Sequence, residues 1–188
     1  MIKLRVFLAL AGSMALAACD PGAAPDAAAT GGAAQAPVTA NAVELRADGL
    51  SAGAESFFFA AGKAEVEAGL AKALGAALRS GDNPECGAGP MSFTDYAGGL
   101  TAHFQDGKLV GWNWHLPQDG DRAASGTVAL AGKVQLGAPR TAVEAAQGFA
   151  MVDGSTLGEE FTLGDKLGGF ITGDRVEMLY AGTQCFFR

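Results

Sequence analysis

Few side chains in this sequence are able to do covalent or acid–base chemistry. The 188 residues hold three cysteines, Cys19, Cys86 and Cys185, and two histidines, His103 and His115. Cys86 stands in a Gly- and Pro-rich turn, Pro84-Glu85-Cys86-Gly87-Ala88-Gly89-Pro90. A thiolate there with a histidine base would be a nucleophile, although neither histidine falls in a recognisable Cys/His pattern. The same five residues give no zinc-ligand spacing. Asp119, Asp121, Glu159 and Glu160 are paired acids; adjacent carboxylates of this kind read as solvated loop charges rather than a calcium or general-acid site. There is no phosphate-gripping Gly-x-x-x-x-Gly-Lys-Ser/Thr run and no Gly-x-Ser-x-Gly elbow. Gly87-Ala88-Gly89 begins a dinucleotide fingerprint, but Ser92 replaces its last glycine. No metal and no cofactor is expected.

The most informative polar-aromatic group is His103, Trp112, Trp114 and His115. Leu100, Ala102 and Phe104 alternate with Thr101 and His103, Asp106-Gly107 supplies the positive φ angles of a two-residue turn, and Leu109 to Trp114 reads as the return strand. With that turn, Phe104 faces Leu109, His103 pairs with Val110, and Thr101 pairs with Trp112. Thr101, His103, Val110, Trp112 and Trp114 then share one face, a candidate binding surface of aromatic rings interrupted by polar atoms. The rival reading puts the tryptophans in the core, and a domain this small has few other large residues to fill it.

Charge narrows the choice of partner. Lys plus Arg number 13 against 20 Asp plus Glu, a net charge of −7. Such a surface repels phosphate backbones, so no nucleic-acid partner is expected.

The elements that position these residues begin after residue 42. Residues 1–18 read as an export signal: Lys3 and Arg5 form a basic start, and an apolar run from Val6 to Ala18 ends in small residues. The run is too short to span a bilayer, which takes about 20 apolar residues. Its end, Leu16-Ala17-Ala18-Cys19, resembles the lipobox of bacterial lipoproteins. That resemblance implies cleavage before Cys19 and lipidation of its thiol, hence attachment to a bacterial membrane facing the periplasm. Asp20 resembles an inner-membrane retention signal, which leaves inner against outer membrane open. Losing Lys3 and Arg5 takes the net charge from −7 to −9. Residues 19–42 are Ala-, Gly- and Pro-rich without apolar periodicity, a tether for a folded domain over 43–188.

Assigning Cys19 to the lipid leaves Cys86 and Cys185 in an oxidising compartment, where a disulfide between them is favoured over a Cys86 nucleophile. The bridge would close a loop of about 100 residues.

The folded part carries a repeat. Phe59-Ala60-Ala61-Gly62-Lys63-Ala64-Glu65-Val66-Glu67-Ala68 parallels Leu136-Gly137-Ala138-Pro139-Arg140-Thr141-Ala142-Val143-Glu144-Ala145. Val66, Leu70, Leu74 and Leu78 then recur on one helical face, stopped by Gly81 and Asp82-Asn83-Pro84. The second helix is shorter, with Val143, Ala146 and Ala150 inward. Strands are expected over Thr127 to Leu130, Lys133 to Leu136, Glu160 to Leu163, Gly169 to Thr172, Arg175 to Tyr180 and Gln184 to Phe187. The class is α+β, an antiparallel β-sheet layer with helices packed on it, in two similar halves of about 43–118 and 119–188. Lys133 to Ala145 resembles the start of small periplasmic helix-then-hairpin modules. These include the small lipoproteins of the outer-membrane barrel-assembly machinery and the secreted β-lactamase inhibitor proteins, which carry two such units in tandem.

The expected function is a membrane-anchored lipoprotein whose periplasmic domain binds or scaffolds another envelope protein without catalysis. The alternatives are a carrier or sensor of a small apolar or cell-wall-derived ligand, and a Cys86-dependent enzyme.

Overall fold

The computed structural model describes residues 39–118 and 122–186. The expected signal segment, Cys19, Asp20, nearly all of the tether, Asp119 and Asp121 lie outside those residues. Three short strands come first: β1 (Ala42–Arg46), β2 (Gly49–Ala52) and β3 (Glu55–Phe58). Alternation in β1 buries Val43 and Leu45 completely and turns Glu44 outward. The helix α1 (Lys63–Leu74) follows and buries Val66, Gly69, Leu70, Ala73 and Leu74. It ends where Gly75 takes φ 94°, a conformation that favours glycine.

After α1 come β4 (Arg79–Asn83), β5 (Met91–Tyr96), β6 (Leu100–Gln105) and β7 (Lys108–His115), an antiparallel meander. The chain returns to the first sheet through β8 (Thr127–Leu130), which lies parallel to β1 and completes the order β3-β2-β1-β8. The short helix α2 (Arg140–Glu144) then leads a second meander, β9 (Phe149–Met151), β10 (Glu159–Leu163), β11 (Leu167–Thr172) and β12 (Arg175–Gly182). The meanders join through β7 and β12 into one eight-stranded sheet, ordered β4-β5-β6-β7-β12-β11-β10-β9. This is the expected α+β layering, with each helix leading four strands.

The two halves repeat down to single hydrogen bonds. Ala60 and Gly137 both have positive φ, 79° and 73°. Lys63 N–H donates to Gly107 O in one half, and Arg140 N–H to Asp174 O in the other. Gly62 bridges to Lys108 as Pro139 bridges to Arg175. Ion pairs four residues apart, Lys63–Glu67 and Arg140–Glu144, sit at matching places, and Val66 and Val143 are both fully buried. The ten-residue match in the sequence is therefore also a match in register.

α1 packs on β1, β2, β5 and β7, while α2 packs chiefly on β9 and β12. The larger core accordingly lies under the first half, where Leu50, Leu70, Leu100, Phe104 and Leu109 are fully buried.

Five local expectations are corrected. Leu78 is not on the helix; it follows Gly75 and is 40% exposed. Gly81 to Asn83 do not stop a helix but form edge strand β4, where the Phe93 ring lies over the missing Gly81 side chain. Ala150 is exposed in β9, because Gly148 at φ 78° has already turned the chain out of α2. Lys133 to Leu136 and Gln184 to Phe186 are not strands. In the first, Gln135 takes over the pairing, bonding both Leu130 N–H and Leu130 O through its amide.

Candidate functional site

The hairpin of β6 and β7 forms as expected at its turn. Asp106 and Gly107 have φ 49° and 69°, and Phe104 faces Leu109. One residue later a β-bulge between His103 and Phe104 shifts the register. Val110 has no direct partner, His103 faces Gly111, Ala102 faces Trp112, and Thr101 faces Asn113. A single inserted residue exchanges the faces of everything beyond it.

The five residues expected on one surface are therefore divided between two. Trp112 is fully buried and Trp114 is 8% exposed, both in the core toward the small sheet. Trp112 Nε1 donates to Arg46 O (2.9 Å) and Gly49 O (3.0 Å), pinning the β1–β2 turn, and Trp114 Nε1 donates to Gly98 O (3.0 Å). Thr101 and His103 lie on the outer face, away from the helices, and Val110 at the bulge is half-buried. The core reading of the tryptophans holds, and the shared surface does not.

The outer face has its own network. Thr101 Oγ1 donates to Asp95 Oδ1 (2.8 Å), and Arg79 binds Asp95 Oδ2 at 2.7 Å. Asn113 Nδ2 donates to His103 Nε2 (2.7 Å), while His103 Nδ1 is buried without a hydrogen-bond partner among the described residues. Burial lowers the His103 pKa to about 4, only partly opposed by the Asp95 carboxylate. Further along the sheet, Glu160 is 1% exposed and accepts hydrogen bonds from Ser155 Oγ and Tyr180 Oη, each at 2.6 Å. Glu160 thus departs from the solvated loop charge expected of it, because Phe161 faces the core and forces its neighbour onto the opposite side. Glu159, in contrast, is exposed and bonds Arg140 through both oxygens at 2.7 Å.

The His103 shift predicts a pH dependence. The unfolded imidazole titrates near 6.5, about 2.5 units above the folded one, so the ring contributes nothing above that pH. As pH falls from 6.5 to 4 the unfolded chain takes up a proton that the folded chain refuses, and stability drops by about 3 kcal/mol. Urea titrations of wild type and His103→Gln across this range check it: the variant should show a flatter slope, and identical slopes would exclude His103 as the source.

The end of the chain crosses this face. Thr183 N–H donates to Val110 O (2.8 Å), and Gln184 Nε2 donates to Ala181 O (2.8 Å) and Trp112 O (3.0 Å). A Cβ at Gly111 would strike the Thr183 and Ala181 carbonyl oxygens, so only glycine lets the strap pass. Cys185 is paired with Cys86 in the β4–β5 loop, with Cα atoms 5.4 Å apart and Asn83 Nδ2 donating to Cys185 Sγ. Phe186 then packs edge-on against Phe170 and Tyr180, with centroids 5.5 and 5.1 Å away. A bridged Cys86 has no thiolate to offer a histidine, and His115 Nδ1 instead bonds the neighbouring Leu116 O.

On the inner face of the second half lies a feature that the sequence did not indicate. A trough of about 790 Å³ runs between the end of β8, residues 131–134, α2, and the β10–β11 turn. Leu130, Val134, Ala142, Ala146, Leu163 and Leu167 line it, and Lys133 stands at its rim. Among the described residues no group of three or more His, Cys, Asp and Glu could hold a metal ion. No protein family, curated protein or solved structure matches the chain.

Proposed function

We propose that the protein is a lipoprotein, anchored to a bacterial membrane through Cys19, whose folded body binds or scaffolds another envelope protein without catalysis. The observation that carries this reading is the one-sided cover of the eight-stranded sheet. Helices and small sheet all lie on the inner face. On the outer face Phe93, Phe170, Met178, Tyr180 and Phe186 are half-buried rather than sealed, interspersed with Thr101 and Asn113. Aromatic and Met side chains among polar groups are what protein interfaces use as anchors. The order of elements, a helix before each meander, adds the resemblance to tandem periplasmic binding modules. The carrier reading asked for an opening beside Trp112 and Trp114, and both indoles are core.

Crosslinked pull-down from the native envelope tests the reading. Met178→Asp, on the outer face, should remove a partner that wild type captures while leaving the circular dichroism melt unchanged. Identical capture by both would overturn the assignment of this face. Cys19→Ser tests the anchor separately: the variant should leave the detergent phase, and wild-type partitioning would end the lipoprotein reading.

A further inference from the structure

We infer that the trough beside α2 is the seat for an amphipathic helix supplied by a partner protein, about two turns long, with leucine-sized residues four apart and a carboxylate toward Lys133. The inference rests on the protein-binding reading for the kind of partner but concerns a different surface.

The internal repeat shows what such a floor holds. In the first half, Tyr96 pairs with Leu100 where β5 turns into β6, and both are sealed, 2% and 0% exposed. α1 lies over β5: Thr94 Oγ1 donates to Glu67 Oε1 (2.7 Å), and burial, then the Glu67 carboxylate, raises the Tyr96 pKa. In the second half, Leu163 pairs with Leu167 at the matching turn from β10 to β11, yet both are only half-buried. Phe57, against which Gly69 of α1 packs, is matched in the repeat by Val134 on the trough wall. Floor and wall are therefore present in both halves.

The cover is not. Val66 corresponds to Val143, and α1 continues through Leu70 and Leu74. The matching positions are Gln147 and Met151, but Gly148 at φ 78° ends the helical course and Met151 is 40% exposed in β9. The second half thus lacks the two turns that close the first.

Charge selects the occupant. In the first half, Lys72 of α1 binds Glu55 on β3 at 3.0 Å. At the second seat the rim carries the opposite sign: Lys133 has no carboxylate within ion-pair distance among the described residues. A helix bearing an acid there complements it. The chain's own tether is a poor candidate, because residues 20–38 contain no leucine-sized apolar side chain and only one valine, Val38.

A photocrosslinking amino acid at Ala145 of the full chain, expressed in its native envelope, tests the inference. The expected adduct is one protein segment with apolar residues four apart and an acid. It should fall about tenfold with Lys133→Glu and with Ala146→Trp, which fills the trough. Lys133→Glu is a surface change, so its effect stands even if Ala146→Trp fails to fold. Adducts to lipid acyl chains, to a second copy or to nothing would overturn the helix seat, as would an adduct indifferent to Lys133→Glu. A partner lost with Met178→Asp but never crosslinked from Ala145 would sink this inference and leave the outer-face reading standing.

Discussion

Cys86→Ser and Cys185→Ser should each lower the unfolding free energy by about 4–5 kcal/mol, with the double variant barely worse than either. The size follows from the 99-residue separation, which makes the bridge a constraint on most of the folded chain when it unfolds. Non-additivity follows because the two changes remove one bond. The native Cα separation of 5.4 Å needs no backbone movement to bridge. Guanidinium titration of oxidised and reduced wild type should reproduce the same loss. A thiol at either position that titrates freely in the native protein would refute the bridge and return Cys86 to the nucleophile reading.

Trp112→Ala should cost about 3–5 kcal/mol from lost burial and the cavity left behind. The indole is fully buried between β7 and the β1–β2 turn, and it satisfies two carbonyl oxygens that would otherwise lack this donor. Trp112→Phe separates the contributions: it keeps most of the apolar contact and should cost about 1–3 kcal/mol from the unmet carbonyls. Denaturant unfolding with matched m-values checks both. A loss within about 0.5 kcal/mol for the alanine variant, as at an ordinary surface site, would mean that the hairpin presents its tryptophans outward after all.

That hairpin also shows how far the sequence could be read. Asp106-Gly107 declares its turn because few pairs accept two positive φ angles, and the Phe104–Leu109 pairing follows directly. The bulge one step on has no composition of its own, yet it decides which residues are core. The repeat was legible because Ala60/Gly137, Lys63/Arg140 and Val66/Val143 answer to the same local demands in both halves. Strands β1 to β5 and β9 were not: all but β5 are three to five residues long, Arg79-Ser80-Gly81-Asp82-Asn83 is devoid of β-branched or aromatic residues, and β5 directly follows the Gly- and Pro-rich turn around Cys86. The trough escaped notice for a different reason. It is made by a helix that stops early, and a vacancy leaves no pattern in the letters.

The position of β12 has a consequence for how the protein is made. The last described strand is not at a margin of the large sheet but inside it, between β7 and β11. A ribosome delivers it after every neighbour it must pair with. Until residues 175–182 emerge, a four-stranded piece ending in β7 and a three-stranded piece ending in β11 wait with unpaired edges, each a template for the wrong partner. Nascent or truncated chains lacking this segment should therefore aggregate rather than persist as a stable first half. Emergence of β12, more than the assembly of the strands before it, is the step that commits the chain to its native form.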